Sequence, residues 1–180
     1  LSKFAAGLEA LEIPVLYLGS LFERDEVRDL LSILSLVVDR RAMGLVRVAT
    51  KNSFAMPLSD VAATLAYFRE NAGQALDWTK QIDAIQNLSP AGKANLSKVA
   101  ALVEGFERSA APWTVLAAIL FDRTRMAADM SIATDSKTRS QAVAIWQLMN
   151  FVRARRGGPA GYPITRLLDS IRRMVLLADE

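Results

Sequence analysis

The sequence predicts a mainly α-helical protein, an irregular bundle of about seven to nine helices with one short strand near the N-terminus. Three observations support this fold class. Apolar residues recur at helical spacing, as in Val27, Leu30, Leu34 and Val38, which form one stripe along a helix. Helix start and stop residues flank most of these segments. Hydrophobic residues make up 52% of the chain and charged residues 23%, the range of a folded globular domain.

The N-terminal segment differs from the rest of the chain. Residues 3–12 predict a short helix, and residues 14–19 predict the one strand, because β-prone residues end there at a glycine. A single strand cannot pair its own backbone groups, so we expect its sheet partners outside this sequence. We therefore predict that residues 1–38 form the edge of an α/β domain and that residues 39–180 form a helical domain.

Helices are predicted in succession from there. One begins at Glu23, where an acidic first turn matches the helix dipole, and a shorter one covers about residues 41–50. Residues 59–61 are expected to cap the next helix. Ser89 with Pro90 is a stronger start, because Ser can cap a helix while Pro occupies a position that needs no N–H donor.

The second half of the chain continues the pattern. Pro112 opens a helix that is apolar nearly all round through Phe121, which predicts the centre of the core. A helix from about Ser136 ends in basic residues followed by glycine and proline, within residues 153–159. The last helix is expected to begin at residues 162–163.

Composition excludes several classes of function. With no cysteine and no histidine, the chain lacks disulfides, thiolate chemistry, the usual zinc ligands and the usual general base. We expect no catalytic residue and no metal site in it. The net charge of +3 does not by itself favour nucleic acid. The sequence opens at Leu1 without a methionine and without a signal-peptide layout, so we expect a segment of a longer protein. No apolar run reaches the length of a membrane span, so we expect no membrane partner.

One segment carries a family resemblance. Residues 13–31 run Ile-Pro-Val-Leu-Tyr-Leu-Gly-Ser-Leu-Phe-Glu-Arg-Asp-Glu-Val-Arg-Asp-Leu-Leu. This resembles the superfamily 1 DNA helicases of the UvrD, Rep and PcrA type and the exonuclease V helicase-nucleases. They share a strand followed by a Phe-x-Arg-x-Glu-Ile/Val-Lys/Arg-Asp-Leu helix. Together with the continuation from Asp39 to Val48, the matching part is residues 13–49, about a fifth of the chain.

The resemblance implies both a domain assignment and a function. Residues 1–38 would belong to the second RecA-like motor domain (2A), and residues 39–180 to its helical insertion, the 2B subdomain. The parent protein would be an ATP-dependent DNA helicase, an ATP hydrolase of DNA repair in the cytoplasm and associated with the nucleoid. ATP and Mg²⁺ would be cofactors of the parent, and its partners would be DNA at a single-strand/duplex junction and the remainder of the motor.

The resemblance also assigns roles to particular residues. Phe22, Arg24, Glu26 and Asp29 would be scaffold residues that join the insertion to the motor. Where the family has a glycine-containing turn that contacts duplex DNA, residues 51–58 contain no glycine, so that contact cannot be carried over. The phosphate-binding loop and the acidic pair for Mg²⁺ are also missing, so the chain alone is not expected to hydrolyse ATP or to hold a cofactor.

Several residues are candidates for contact with DNA. They are Lys51, Arg123, Arg125, Lys137, Arg139, Arg153, Arg155, Arg156 and Trp78. The three arginines at 153–156 either clamp phosphate or cap a helix end. The cations at 137 and 139 occupy a first helical turn, where the dipole disfavours them, and this favours polyanion contact. Trp113 and Trp146 are expected in the core, which leaves Trp78 as the tryptophan that could stack on a base.

Two further alternatives remain open at this level. Glu26 and Asp29 share a helix face and could form a carboxylate site, or they could belong to an acidic first turn with Asp25 and Arg28 paired. For the whole chain, the first hypothesis is an accessory helicase subdomain that controls duplex engagement or autoinhibition, by rigid-body rotation about junctions near Val38 and Glu180. The alternative is a helical protein-interaction module without a nucleic-acid role, which the balanced charge favours.

Overall fold

A computed structural model describes residues 21–39, 41–71, 78–155 and 162–178, and in these ranges the protein is mainly helical, as predicted. Its α-helices are α1 (Asp25–Val38), α2 (Leu45–Val48), α3 (Leu58–Glu70), α4 (Pro90–Val103), α5 (Pro112–Ala117), α6 (Met126–Ser131), α7 (Ser136–Ala154) and α8 (Ile164–Ala178). Short 3₁₀ helices cover Asn52–Phe54, Trp78–Lys80 and Ile82–Ala84, and a π-helix covers Ala118–Arg123. The strand predicted at residues 14–19 and the helix at residues 3–12 lie outside the described residues.

Helix α1 lies at the centre of the bundle. It packs against α2, α4, α5, α7 and α8. Val27, Leu30 and Leu34 on its predicted apolar stripe are fully buried. The domain boundary predicted after residue 38 would therefore separate α1 from α4, α7 and α8, although the four helices share one hydrophobic core.

The first two helix starts differ from the sequence prediction. Helix α1 begins at Asp25 rather than at Glu23, because Arg24 has an extended backbone. The helix predicted over residues 41–50 shrinks to α2. The carboxylate of Asp39 accepts the backbone N–H groups of Arg41 and Met43, both at 2.9 Å, and so organises a turn where the first helical turn was expected.

The junction of α3 and α4 contains a buried carboxylate. The cap predicted at residues 59–61 is wrong, since α3 begins at Leu58 and Asp60 is 3% exposed within its first turn. Asp60 instead accepts a hydrogen bond from the hydroxyl of Ser89 at 2.5 Å. Ser89 in turn caps α4 as predicted, because its Oγ accepts the backbone N–H of Gly92 at 3.0 Å. We call Asp60, Ser89 and Gly92 the α3–α4 clamp.

The helix that opens at Pro112 becomes irregular after one and a half turns. Residues Ala118–Arg123 form a π-helix, closed where the N–H of Thr124 donates to the carbonyl of Ile119 at 3.1 Å. Its interior residues are buried, but Trp113 is 43% exposed and Phe121 is 68% exposed. The segment therefore contributes to the core, but through one face only, and its other face is exposed although it is apolar. Among the described residues, no helix is long and apolar enough to span a bilayer.

Helix α7, the longest in the described ranges, begins at Ser136 as predicted and is capped by Asp135, whose carboxylate accepts the backbone N–H of Thr138 at 2.8 Å. This hydrogen bond lowers the pKa of Asp135. Because its pKa is lower in the folded state than in the unfolded chain, its contribution to stability is present above the unfolded pKa and is lost as the pH falls through the folded one.

Replacing Asp135 by alanine is therefore expected to lower Tm near neutral pH. The difference from wild type should be complete above the pKa of an aspartate in the unfolded chain, about 3.9, and should fade as the pH falls below that value and the wild-type carboxylate becomes protonated. Thermal melts followed by circular dichroism measure it. Asp135→Asn is the matched control, because asparagine caps without a charge and should keep most of the Tm at neutral pH. An alanine variant whose Tm deficit is the same at every pH would contradict this role.

Candidate functional site

Two of the four scaffold residues implied by the family resemblance, Phe22 and Arg24, join the start of α1 to α7. Phe22 is 4% exposed, and its ring meets that of Phe151 edge to face, with centroids 4.9 Å apart. Arg24 donates to the carboxylate of Glu26 at 2.5 Å and to the hydroxyl of Ser140 at 2.7 Å. These contacts connect the start of α1 with two positions on α7, eleven residues apart.

The remaining scaffold residue, Asp29, belongs to an ion-pair network. Its carboxylate contacts Arg47 and Lys51, both at 2.5 Å. Arg47 also pairs with Asp25 at 2.8 Å, and this hydrogen bond and the charge of Arg47 lower the pKa of Asp25. The predicted Asp25–Arg28 pair is therefore wrong, because α2 places Arg47 against Asp25. The carboxylates of α1 are neutralised by cations rather than gathered as a catalytic pair.

Two of the cations predicted to contact DNA are also engaged within the protein. Arg123 donates to the carbonyls of Ala101 and Leu102 at the end of α4, and it lies 4.1 Å from the ring centroid of Phe106. The guanidinium of Arg155 lies 3.4 Å from the ring centroid of Phe151. Arg123 thus satisfies the end of α4. Arg155 also donates to the carbonyl of Phe151 in the last turns of α7, at 3.4 Å, which favours the capping interpretation of the basic helix end at this residue.

The other predicted cations are exposed but dispersed. Lys137 and Arg139 lie in the first turn of α7, and Arg153 lies in its last turn, so about 24 Å of helix separates Lys137 from Arg153 at 1.5 Å per residue. Arg125 pairs loosely with Asp129, at 3.8 Å. Arg156 lies outside the described residues. The described cations do not form one continuous patch.

The three tryptophans are placed opposite to the prediction. Trp78 is 7% exposed, its indole N–H donates to the carbonyl of Leu36 at 3.0 Å, and its ring packs edge to face on Phe68. In this arrangement its ring is not open to a base. Trp113 and Trp146 are 43% and 67% exposed instead. Sequence neighbours misled the prediction, because a side chain among apolar residues can still point away from the core.

The two exposed tryptophans flank an apolar groove between α7 and the segment that runs from α5 to α6. We call it the tryptophan groove. Its volume is about 380 Å³. Its lining residues are Trp113, Leu120, Phe121, Ala127, Met130, Ser131, Ala142, Ile145, Trp146, Met149, Asn150 and Arg153. Neither this groove nor its aromatic rim was predicted from the sequence.

The polar groups of the tryptophan groove are few. Arg153 is the one charged residue among the described lining residues, and it donates to the side-chain oxygen of Asn150 at 2.9 Å. The amide nitrogen of Asn150 is buried and has no hydrogen-bond partner in the described part of the chain. The sequence feature that could have revealed the groove is the second apolar face of α7, where Val143 and Trp146 lie on the side opposite Leu148.

A larger groove, of about 750 Å³, is lined by residues of α1, of α2 with the turn before it, and of α8. Arg28, Arg47 and Arg172 line it together with Asp39 and Asp169. Charges of both signs alternate there and partly pair, as Arg172 does with Asp169 at 3.5 Å. This groove offers no single ligand chemistry.

Comparison with known proteins adds no assignment, since no protein-family model, no curated protein and no solved structure matches the chain.

Proposed function

We propose that this chain is an accessory helical segment of an ATP-dependent DNA helicase or helicase-nuclease, and that it regulates how the parent engages DNA. The observation that carries the proposal is the resemblance of residues 13–49, whose helix carries a Phe-x-Arg-x-Glu-Val-Arg-Asp-Leu pattern. The positions of Phe22, Arg24 and Asp29 support it. All three contact other helices of the bundle, so the helix that carries the pattern is held to the remainder of the described chain.

The proposed regulation is a rigid-body rotation that biases an equilibrium between open and closed states. A pivot at Val38 is unsuitable, because rotation there would pull α1 away from α7 and α8, with which it shares its buried face. We therefore place α1 inside the moving body. ATP, Mg²⁺ and the chemistry of hydrolysis would belong to the parent, in the cytoplasm and near the nucleoid.

The DNA part of this proposal predicts weak, salt-dependent binding of duplex through the start of α7. Lys137 and Arg139 are exposed, and neither side chain has a hydrogen-bond partner in the described ranges. Replacing both with glutamine should weaken binding. It should also reduce the magnitude of the slope of log K against log salt by about 2, because each phosphate that a cation neutralises contributes about 0.9 to that slope. Fluorescence anisotropy with a labelled duplex at low salt measures it.

A matched control removes the same charge elsewhere. Lys98→Gln with Arg166→Gln lowers the net charge equally at two other exposed positions, on α4 and α8, and should leave the salt slope near that of wild type. If both double variants lost the same affinity for duplex, the loss would be explained by net charge and not by the positions of Lys137 and Arg139. If the wild-type chain did not bind duplex at low salt, the proposed duplex contact would be wrong. The proposal that the parent is a helicase would then be tested by the helicase activity of the parent.

A helical protein-interaction module without a nucleic-acid role is the second candidate function. Two observations favour it: Lys51, Arg123 and Arg155 are engaged within the protein, and an apolar surface around Trp146 is exposed. Exposed apolar patches with aromatic rims mark protein interfaces more often than polyanion sites. Absence of duplex binding combined with saturable binding of a protein partner would select this candidate.

A further inference from the structure

Three aromatic rings are exposed together around the tryptophan groove. Trp113 is 43% exposed, Phe121 is 68% exposed and Trp146 is 67% exposed. Two partly buried methionines, Met130 and Met149, form part of the floor between them. Such rings lose much of their contact with water when a partner covers them, and methionine adapts to the shape of what is bound. Aromatic residues at the centre of an apolar patch are the usual energetic anchors of an interface.

The lining residues of α7 indicate the shape of the partner. Ala142, Ile145, Trp146, Met149, Asn150 and Arg153 recur at spacings of three, one, three, one and three residues. This is one face of a helix over about three turns, or about 16 Å. It is the face that a second helix packs against in a helical pair. In the described residues there is no strand edge for an extended peptide to join.

The charges around the groove indicate the chemistry of the partner. Arg153 is exposed at one end of the groove, and its recorded partner is the neutral oxygen of Asn150. A carboxylate would pair with it more strongly than that amide does. Asp122 and Asp129 are exposed next to lining residues of the opposite wall, but neither lines the groove, and Asp129 pairs loosely with Arg125. Among the described lining residues, a phosphate backbone would therefore meet a single cation. Stacking sites for single strands instead need cations along the whole groove.

We propose that the tryptophan groove binds an amphipathic helix of another polypeptide, with apolar side chains between Trp113 and Trp146 and a carboxylate on Arg153. The volume of about 380 Å³ accepts a few side chains rather than a domain. This inference rests on the second candidate function and is independent of the duplex contact at Lys137 and Arg139. Failure at the groove and failure of DNA binding are therefore separate results.

The test uses the 180-residue chain and a fluorescein-labelled synthetic peptide of about 18 residues, long enough to form a helix. The peptide is rich in alanine and glutamine, with leucines at positions i, i+4 and i+7 and a glutamate one turn beyond them. We expect saturable binding by anisotropy and a blue shift of tryptophan emission. Trp146→Ala should weaken the affinity at least about tenfold. Leu58→Ala, an exposed residue of α3, is the matched control and should leave the affinity unchanged.

A charge exchange tests the role of Arg153. Arg153→Glu should weaken binding of the glutamate peptide about tenfold and should restore binding of a peptide with lysine at that position. Trp146→Ala and Arg153→Glu both change exposed side chains, and circular dichroism checks that each variant folds.

Four outcomes would overturn the proposal. They are absence of peptide binding, equal effects of Trp146→Ala and Leu58→Ala, displacement of the peptide by oligothymidylate, and self-association in sedimentation velocity that Trp146→Ala abolishes. The third would assign the groove to single-stranded DNA and the fourth to a second copy of this chain. Peptide binding that ignores the charge exchange would remove the carboxylate from the proposed partner, and with it the partner chemistry proposed here.

Discussion

Replacing Phe22 by alanine is expected to lower the free energy of unfolding by about 3 to 5 kcal/mol, the usual cost of truncating a buried phenylalanine. The side chain is 4% exposed, and its ring meets that of Phe151 on α7 edge to face. Truncation would leave a cavity between the start of α1 and α7. Urea denaturation followed by circular dichroism measures the loss.

The matched control is Phe121→Ala. That ring is 68% exposed, so its truncation should change the free energy of unfolding by no more than about 0.5 kcal/mol. A coupling between Phe22→Ala and Phe151→Ala in a double-mutant cycle, of about 0.5 to 1.5 kcal/mol, would attribute part of the loss to the ring pair. Equal losses at Phe22 and Phe121 would show that the Phe22 ring does not hold α1 to α7.

Replacing Gly92 by alanine is expected to destabilise the protein by about 2 to 3 kcal/mol, as overpacking of a closed site does. An alanine Cβ would lie 2.7 Å from Cγ of Asp60, with its Oδ2 nearer still. Helix propensity alone predicts the opposite sign, a gain of about 1 kcal/mol for alanine over glycine within a helix. The sign of the change in urea denaturation therefore decides between propensity and the α3–α4 clamp.

Two variants complete this experiment. Ala94→Gly, at an exposed position of α4, measures helix propensity in the same helix. Asp60→Ala removes the carboxylate that the new methyl group would meet, at the cost of the hydrogen bond to Ser89. Gly92→Ala should then cost less in the Asp60→Ala background than in wild type. Additive effects of the two substitutions would show that Asp60 is not what excludes a side chain at position 92.

The starts of α4, α5 and α7 and the buried stripe of α1 were predictable, because they depend on neighbours within one or two turns. Ser89 caps α4 and Ser136 begins α7 as predicted, and the stripe on α1 is buried. Local hydrogen bonding explains two of the errors. Asp39 takes backbone N–H groups that a longer α2 would have used, and Asp60 turns toward Ser89 instead of capping its own helix.

The candidate sites were less predictable, since exposure and ion pairing depend on residues that are distant in the sequence. Lys51 is paired with Asp29, and Arg123 lies on the end of α4, so neither presents its charge as predicted. Trp78 is buried because Leu36, 42 residues away, accepts its indole N–H. The exposure of Trp146 follows from the direction that α7 takes against α1, which its neighbours in the sequence do not specify.

By itself the sequence determined the helical class of the described chain and the helix starts at Pro90, Pro112 and Ser136. The resemblance to superfamily 1 helicases, and the parent function that it implies, stay predictions. These follow from short-range periodicity, capping and motif order. Only the tertiary structure decided that α1 is central, that most carboxylates of α1 are paired with cations of later segments, and that the apolar surface around Trp146 is left uncovered. The physical reason is that packing and charge pairing join residues far apart in the chain, and a pattern of neighbours contains no distances between helices.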